Sequence, residues 1–199
     1  MSLRYESRVR VSAGFCLLVV WFGLANGWRL LATVLSAAAV HELGHCLALR
    51  CFGASCGGLR VGIFGAVLET DGRRLSYGGE LVCVLAGPGA NLLCALLTAA
   101  GGDRWTVMAG AHLTLCVFNL LPLRPLDGGR ALYLAVSWLA GPHAGECAAR
   151  WMGVLTGTLL GTAAVWVMGR TGGSLWLLPT AVAALYLAVR EGFGKSGFL

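Results

Sequence analysis

The chain has 199 residues, of which 57% are hydrophobic and 12% are charged, and its formal net charge is +6. This composition excludes an ordinary water-soluble fold and is typical of a membrane protein. The 15 Lys and Arg residues are scattered along the chain rather than gathered in a basic run, so the sequence does not indicate nucleic-acid binding.

Six apolar stretches are predicted to be transmembrane helices, because about 20 apolar residues cross a bilayer. In chain order they lie near Val11–Ala25, Trp28–Leu49, Leu81–Ala100, Trp105–Leu139, Trp151–Met168 and Ser174–Val189. The fourth stretch is interrupted by prolines near its middle. The predicted fold is therefore an all-α polytopic membrane protein with six transmembrane helices, forming a single membrane-embedded domain over residues 1–199.

The segment Ser55–Tyr77, between the second and third stretches, is too polar to cross a membrane. It contains short β-prone runs separated by glycines, so we predict a small β-hairpin at the membrane face. One interpretation is that this hairpin holds a substrate as an added strand. The alternative is a plain connecting hairpin.

The distribution of basic residues predicts the orientation of the chain. With the N-terminus in the cytoplasm, 12 of the 15 Lys and Arg residues fall on the cytoplasmic side. The positive-inside rule therefore favours cytoplasmic N- and C-termini, and a bacterial cell membrane is the expected location. The charged N-terminus and the apolar run after it are interpreted as a retained first helix rather than a cleaved signal peptide.

The second apolar stretch contains the sequence HELGH, from His41 to His45. Ionisable residues in a membrane span are costly unless they have a partner or a function. On a helix, His41 and His45 are one turn apart and can offer two imidazole nitrogens to one metal ion. Glu42, about 100° around the helix from His41, can face a water molecule beside that metal as a general base. The alternative is a pair of buried histidines bonded to neighbouring helices.

A zinc hydrolase normally needs a third protein ligand. Residues 119–130, with the sequence NLLPLRPLDGGR, contain two prolines, and the paired glycines are expected to relax the helix. Unwound backbone at membrane depth is tolerated only where it is buried in protein or lines a cavity. Asp127 in this segment is therefore the preferred third ligand. His112 and His143 stay as alternatives, although the position of His112 is more typical of a structural histidine.

Three motifs in successive spans resemble those of the site-2 protease family of intramembrane zinc metalloproteases: HELGH, AGPGAN (residues 86–91) and NLLPLRPLDGGR. The resemblance covers a three-helix catalytic core of about residues 28–140. The six-span layout is most similar to the sporulation branch, in which a member processes a membrane-associated pro-sigma factor. Members of that branch often have a C-terminal nucleotide-sensing CBS domain, and none is expected here because the sequence ends at Leu199.

The resemblance implies that three residues ligate zinc: His41, His45 and Asp127. It implies that Glu42 is the general base, and the residues themselves lead to the same four assignments. It also implies substrate-binding roles for Asn119 and Asn91, with hydrogen bonding across helices as an equal alternative. Three glycines are expected to permit close helix approach: Gly44, Gly87 and Gly89.

The predicted function is hydrolysis of a peptide bond in a membrane-associated or transmembrane protein by a zinc metalloendopeptidase within the bilayer. A regulatory membrane partner is left open. One alternative is a catalytically silent binding module, which would be expected to lack a ligand or the base. Another is a metal or proton transporter, which would need a continuous series of polar side chains across the membrane. The sequence keeps all four residues and has almost no polar groups in its last two stretches, so the protease is favoured.

Overall fold

The computed structural model describes residues 8–54, 56–62, 65–70, 75–124, 126–171, 182, 184–186 and 188–190. The described strands are β1 (Arg8–Val11), β2 (Cys56–Gly62) and β3 (Gly65–Thr70). The helices are α1 (Ala13–Asn26), α2 (Trp28–Cys51), α3 (Tyr77–Ala100), α4 (Thr106–Asn119), α5 (Asp127–Ala140) and α6 (Pro142–Arg170). Two compact units divide the chain, one over residues 1–119 and the other over residues 120–199.

The first unit is built on α2, α3 and α4, each of which packs against the other two, while α1 lies along α2. Small residues set the closest approach of these helices. A Cβ atom at Gly44 of α2 would overlap the carbonyl oxygen of Ala86 in α3, so only glycine permits this approach. The chain passes from α1 into α2 at Gly27, whose φ of 89° lies in the region that favours glycine.

A three-stranded sheet in the order β1-β2-β3 completes the first unit. β2 and β3 pair in antiparallel fashion, with Leu59 opposite Leu68, which confirms the predicted hairpin. β1 pairs in parallel with β2. Parallel pairing needs a connection that returns the chain to the end at which β1 starts, and α1 and α2 form that connection. The strand β1 was not predicted, since Val11 was assigned to the first apolar stretch. Residues 55, 63–64 and 71–74 of the predicted hairpin lie outside the described residues.

The second unit is built on α5 packed against α6. Small residues recur at every fourth position along the buried side of α6: Gly145, Ala149, Gly153, Gly157 and Gly161. A Cβ atom at Gly145 would overlap the Ser137 side chain of α5, so the two helices approach closely at this level. The predicted fifth stretch lies within α6, which begins earlier, at Pro142. The predicted sixth stretch lies mostly outside the described residues.

Three described helices, α2, α3 and α6, are long and apolar enough to cross a membrane. The predicted fourth stretch is two separate helices, α4 and α5, each of 14 residues. They are separated because Pro122 has no N–H to donate and disfavours a helical conformation at Leu121. The membrane character of the chain agrees with the sequence analysis, whereas the count of six crossings stays a prediction.

Candidate metal centre

Two histidines on successive turns of α2 face each other within the first unit. The Nε2 atoms of His41 and His45 are 3.2 Å apart, and the two rings meet edge to face with their centroids 4.8 Å apart. His41 is buried and His45 is partly buried. The helical spacing of HELGH therefore brings the two imidazoles together, as the sequence predicts.

A backbone carbonyl in α3 fixes the proton position of His45. The Nδ1 atom of His45 lies 2.8 Å from the carbonyl oxygen of Cys83. A carbonyl oxygen can only accept, so His45 Nδ1 carries the proton and donates it, and in the neutral ring the lone pair is on Nε2. A ring held in this way directs Nε2 towards His41 and leaves it able to bind a metal ion.

Glycine at position 87 makes room for that ring. A Cβ atom at Gly87 would overlap the imidazole of His45, so any larger residue there would displace it. A Cβ atom at Gly89 would meet no heavy atom of the described residues within 4 Å. Close approach therefore explains Gly44 and Gly87, but the prediction was wrong for Gly89. The spacing of small residues alone does not distinguish a glycine that faces a neighbouring helix from one that faces away.

Asn91 joins three helices through its amide group. Its Nδ2 atom lies 3.2 Å from His41 Nδ1, and its Oδ1 atom lies 3.0 Å from His112 Nδ1 of α4. Asn91 is 0% exposed, and His112 is also buried. The structure thus shows the cross-helix hydrogen bonds that the sequence analysis held as one alternative for Asn91.

Glu42 and Asn119 lie on the same helices as these histidines. Glu42 is next to His41 on α2 and is partly buried. Asn119 is the last residue of α4, and its Nδ2 donates to the carbonyl oxygen of Leu115, 3.0 Å away in the same helix. Glu42 therefore shares α2 with His41, and Asn119 shares α4 with His112.

In the second unit, Asp127 begins α5 and is partly buried. Cβ atoms at Gly128 and Gly129 would overlap backbone atoms of Leu120 and Leu123, respectively. Both glycines are in the first turn of α5. They let this turn pack directly against the segment before it, and this packing fixes the position of Asp127. Pro125 lies outside the described residues.

An ion pair that the sequence analysis did not single out holds that same segment. Arg124 Nη2 lies 2.5 Å from Glu146 Oε1 of α6, and each side chain is 19% exposed. The signal in the sequence is an acidic residue at the start of an apolar helix, which needs a partner. His143, the other histidine considered as a ligand, lies in the first turn of α6 and is exposed.

The two histidines of α2 fit a zinc ion. Zinc binds imidazole nitrogen at about 2.0–2.1 Å in tetrahedral geometry, which places two such nitrogens roughly 3.3 Å apart. The observed separation of 3.2 Å between His41 Nε2 and His45 Nε2 matches that value. The donor set also suits zinc, which accepts nitrogen from histidine and oxygen from an aspartate such as Asp127.

Comparisons with known proteins agree with this geometry. No family model matches the chain. Two curated relatives, from the Erdman and H37Rv strains of Mycobacterium tuberculosis, are both named "Putative zinc metalloprotease Rip3". Each is 31% identical over 182 residues, which covers 82% of this chain and 45% of the relative. A solved structure, "Site-2 Protease from Methanocaldococcus jannaschii", matches with a TM-score of 0.62, covering 100% of this chain and 97% of that one at 18% identity.

The chain is similar in sequence to named zinc metalloproteases and in fold to a site-2 protease. It spans less than half the length of the mycobacterial relatives that it matches. This chain and the archaeal site-2 protease share a fold. Assignment to the sporulation branch of the family stays a prediction.

Proposed function

We propose that the protein is an intramembrane zinc metalloprotease that hydrolyses a peptide bond in a membrane-associated or transmembrane protein. The proposal rests mainly on the pair of His41 and His45, whose Nε2 atoms have the separation of two zinc ligands. The hydrogen bond from His45 to Cys83 supports it, because second-shell bonds of this kind are typical of metal-binding histidines. The names of the curated relatives are consistent with it.

Three residues are the proposed zinc ligands: His41, His45 and Asp127. Two neutral imidazoles and one carboxylate leave a net positive charge on the site, which favours a fourth ligand such as water. A bound zinc ion would supply Lewis-acid activation of water and of the scissile carbonyl group. The packing of Gly128 and Gly129 and the ion pair of Arg124 with Glu146 would hold Asp127 in place for this role.

Glu42 is the proposed general base. It takes a proton from the attacking water and returns that proton to the amine of the leaving peptide. Its position beside His41 on the same helix fixes its backbone relative to the proposed metal ligands of α2. Its partial burial limits the surrounding water, which strengthens the electrostatic interactions on which the proton transfers depend.

The substrate is proposed to enter as an unwound segment, because a helical transmembrane peptide keeps its carbonyl groups in hydrogen bonds. β3 is at one edge of the three-stranded sheet and can accept an added strand through its backbone. Asn119 is the proposed side-chain contact to the substrate, at the end of α4. Cytoplasmic N- and C-termini, as the basic residues predict, would place the products on the cytoplasmic side.

The test uses the purified protein in detergent with fluorescein-labelled casein, an unfolded chain whose carbonyl groups are accessible. We expect cleavage that needs zinc and is lost with a chelator. Glu42→Gln is the matched control, because it keeps the shape of the side chain while removing its basicity. We expect it to retain zinc and to cleave about 10²–10⁴-fold more slowly. Equal cleavage by Glu42→Gln would contradict the role of Glu42, and zinc binding without any turnover would indicate the silent binding module.

A further inference from the structure

Four side chains of the first unit, His41 among them, form one continuous hydrogen-bonded row. In order, it runs from His112 through Asn91 and His41 to His45, and it ends on the carbonyl oxygen of Cys83. The successive heavy-atom distances are 3.0, 3.2, 3.2 and 2.8 Å. All of these residues lie on α2, α3 and α4.

The direction of donation along this row follows from its fixed end. Because His45 Nδ1 must donate to Cys83, His45 Nε2 can only accept, and the proton between the two imidazoles belongs to His41 Nε2. His41 Nδ1 then accepts from the amide nitrogen of Asn91. The amide oxygen of Asn91 in turn accepts from His112 Nδ1. In the absence of metal, every donor in the row therefore points the same way.

Zinc binding requires part of the row to reverse. For His41 Nε2 to bind zinc, its proton would have to move to Nδ1, which would then need an acceptor. A half-turn of the Asn91 amide brings its oxygen to His41 and its nitrogen to His112. His112 Nδ1 must then accept, so the proton of His112 moves to Nε2.

We propose that His112 is a positioning residue for the metal centre, acting through Asn91 to set the proton position and the ring orientation of His41. This inference deepens the proposed function and rests on it. Asn91 is fully buried, and both ends of its amide face histidines, so it supports His41 rather than contacting a substrate. His112 suits the role because a neutral imidazole can donate from Nδ1 in one state and accept there in the other.

The first test measures zinc affinity by competition with a chromophoric chelator, using the full chain in detergent. We expect His112→Leu to bind zinc about 10–100-fold more weakly than the wild type, the usual effect of losing a second-shell partner. His112→Asn should restore most of the affinity, because an amide can both donate and accept. Cys116→Ala is the matched control, since Cys116 is equally buried one turn further along α4. We expect this control to bind zinc as the wild type does.

The second test reads the proton position in the wild-type protein and uses a variant only to assign the signal. In ¹⁵N-histidine-labelled wild-type protein, nuclear magnetic resonance should show the proton of His112 on Nδ1 without zinc and on Nε2 with zinc. The spectrum of His112→Asn assigns the signal. A His112 proton that stays on Nδ1 when zinc is bound would overturn the inference, as would a folded His112→Leu with wild-type affinity. A wild-type protein that binds no zinc would instead overturn the proposed function, and the inference with it.

Discussion

His45 donates a hydrogen bond from Nδ1 to the carbonyl oxygen of Cys83, across the contact between α2 and α3. This bond settles which nitrogen of His45 faces His41, because a carbonyl oxygen accepts and does not donate. It also couples the orientation of the ring to the packing of α3. We therefore expect the residues of α3 near Cys83 to affect the proposed metal centre without being ligands themselves.

The first prediction concerns Gly87, whose lack of a side chain leaves space for the His45 ring. Gly87→Ala should displace that ring and weaken zinc binding by at least tenfold, since the bond to Cys83 is a second-shell interaction. Gly89→Ala is the matched control on the same helix, because within the part of the chain that the structure describes a Cβ atom at Gly89 meets no heavy atom within 4 Å. The zinc affinities of the two variants are measured by competition with a chelator. Equal affinities for the two variants would contradict the packing argument.

The second prediction concerns the ion pair between Arg124 and Glu146. Because each side chain is 19% exposed, the pair is less screened than one at an open surface, and we expect it to stabilise the second unit by about 1 kcal/mol. A double-mutant cycle with Arg124→Gln and Glu146→Gln, read by thermal unfolding in detergent, gives the coupling energy. A coupling energy of zero would show that another interaction holds the segment before Asp127.

The HELGH pair could be predicted from the sequence because it depends only on helical spacing, which places His41 and His45 on one face. The residues that connect to that pair through hydrogen bonds could not be predicted from the sequence. Asn91 and His112 are 50 and 71 residues from His41, and the bonding atom of Cys83 is a backbone carbonyl that its side chain does not reveal. The parallel pairing of β1 with β2 likewise depends on how α1 and α2 return the chain. The AGPGAN motif alone does not separate Gly87 from Gly89, although a Cβ atom at Gly87 would overlap His45 and one at Gly89 would contact none of the described residues within 4 Å.

The third prediction concerns the substrate. A single-span model protein with an Asn-Pro pair within its span should be cleaved, because the proline leaves backbone carbonyls without helical donors. A matched protein with leucine at those two positions should be cleaved at least tenfold more slowly. Both are reconstituted with the enzyme in liposomes, and products are followed by gel electrophoresis. Equal rates would contradict the requirement for an unwound segment, while Glu42→Gln controls for contaminating proteases.

The most direct measurement is the zinc content of detergent-purified protein, determined by mass spectrometry after loading with zinc and removal of the excess. The proposed centre predicts about one zinc ion per chain in the wild type and in Glu42→Gln, since Glu42 is not a ligand. It predicts that zinc is lost or weakened in His45→Ala and in Asp127→Ala, whose folding is checked by circular dichroism. Zinc retained at full affinity in Asp127→Ala would contradict the third ligand, and a wild-type protein that takes up no zinc would contradict the metal centre itself.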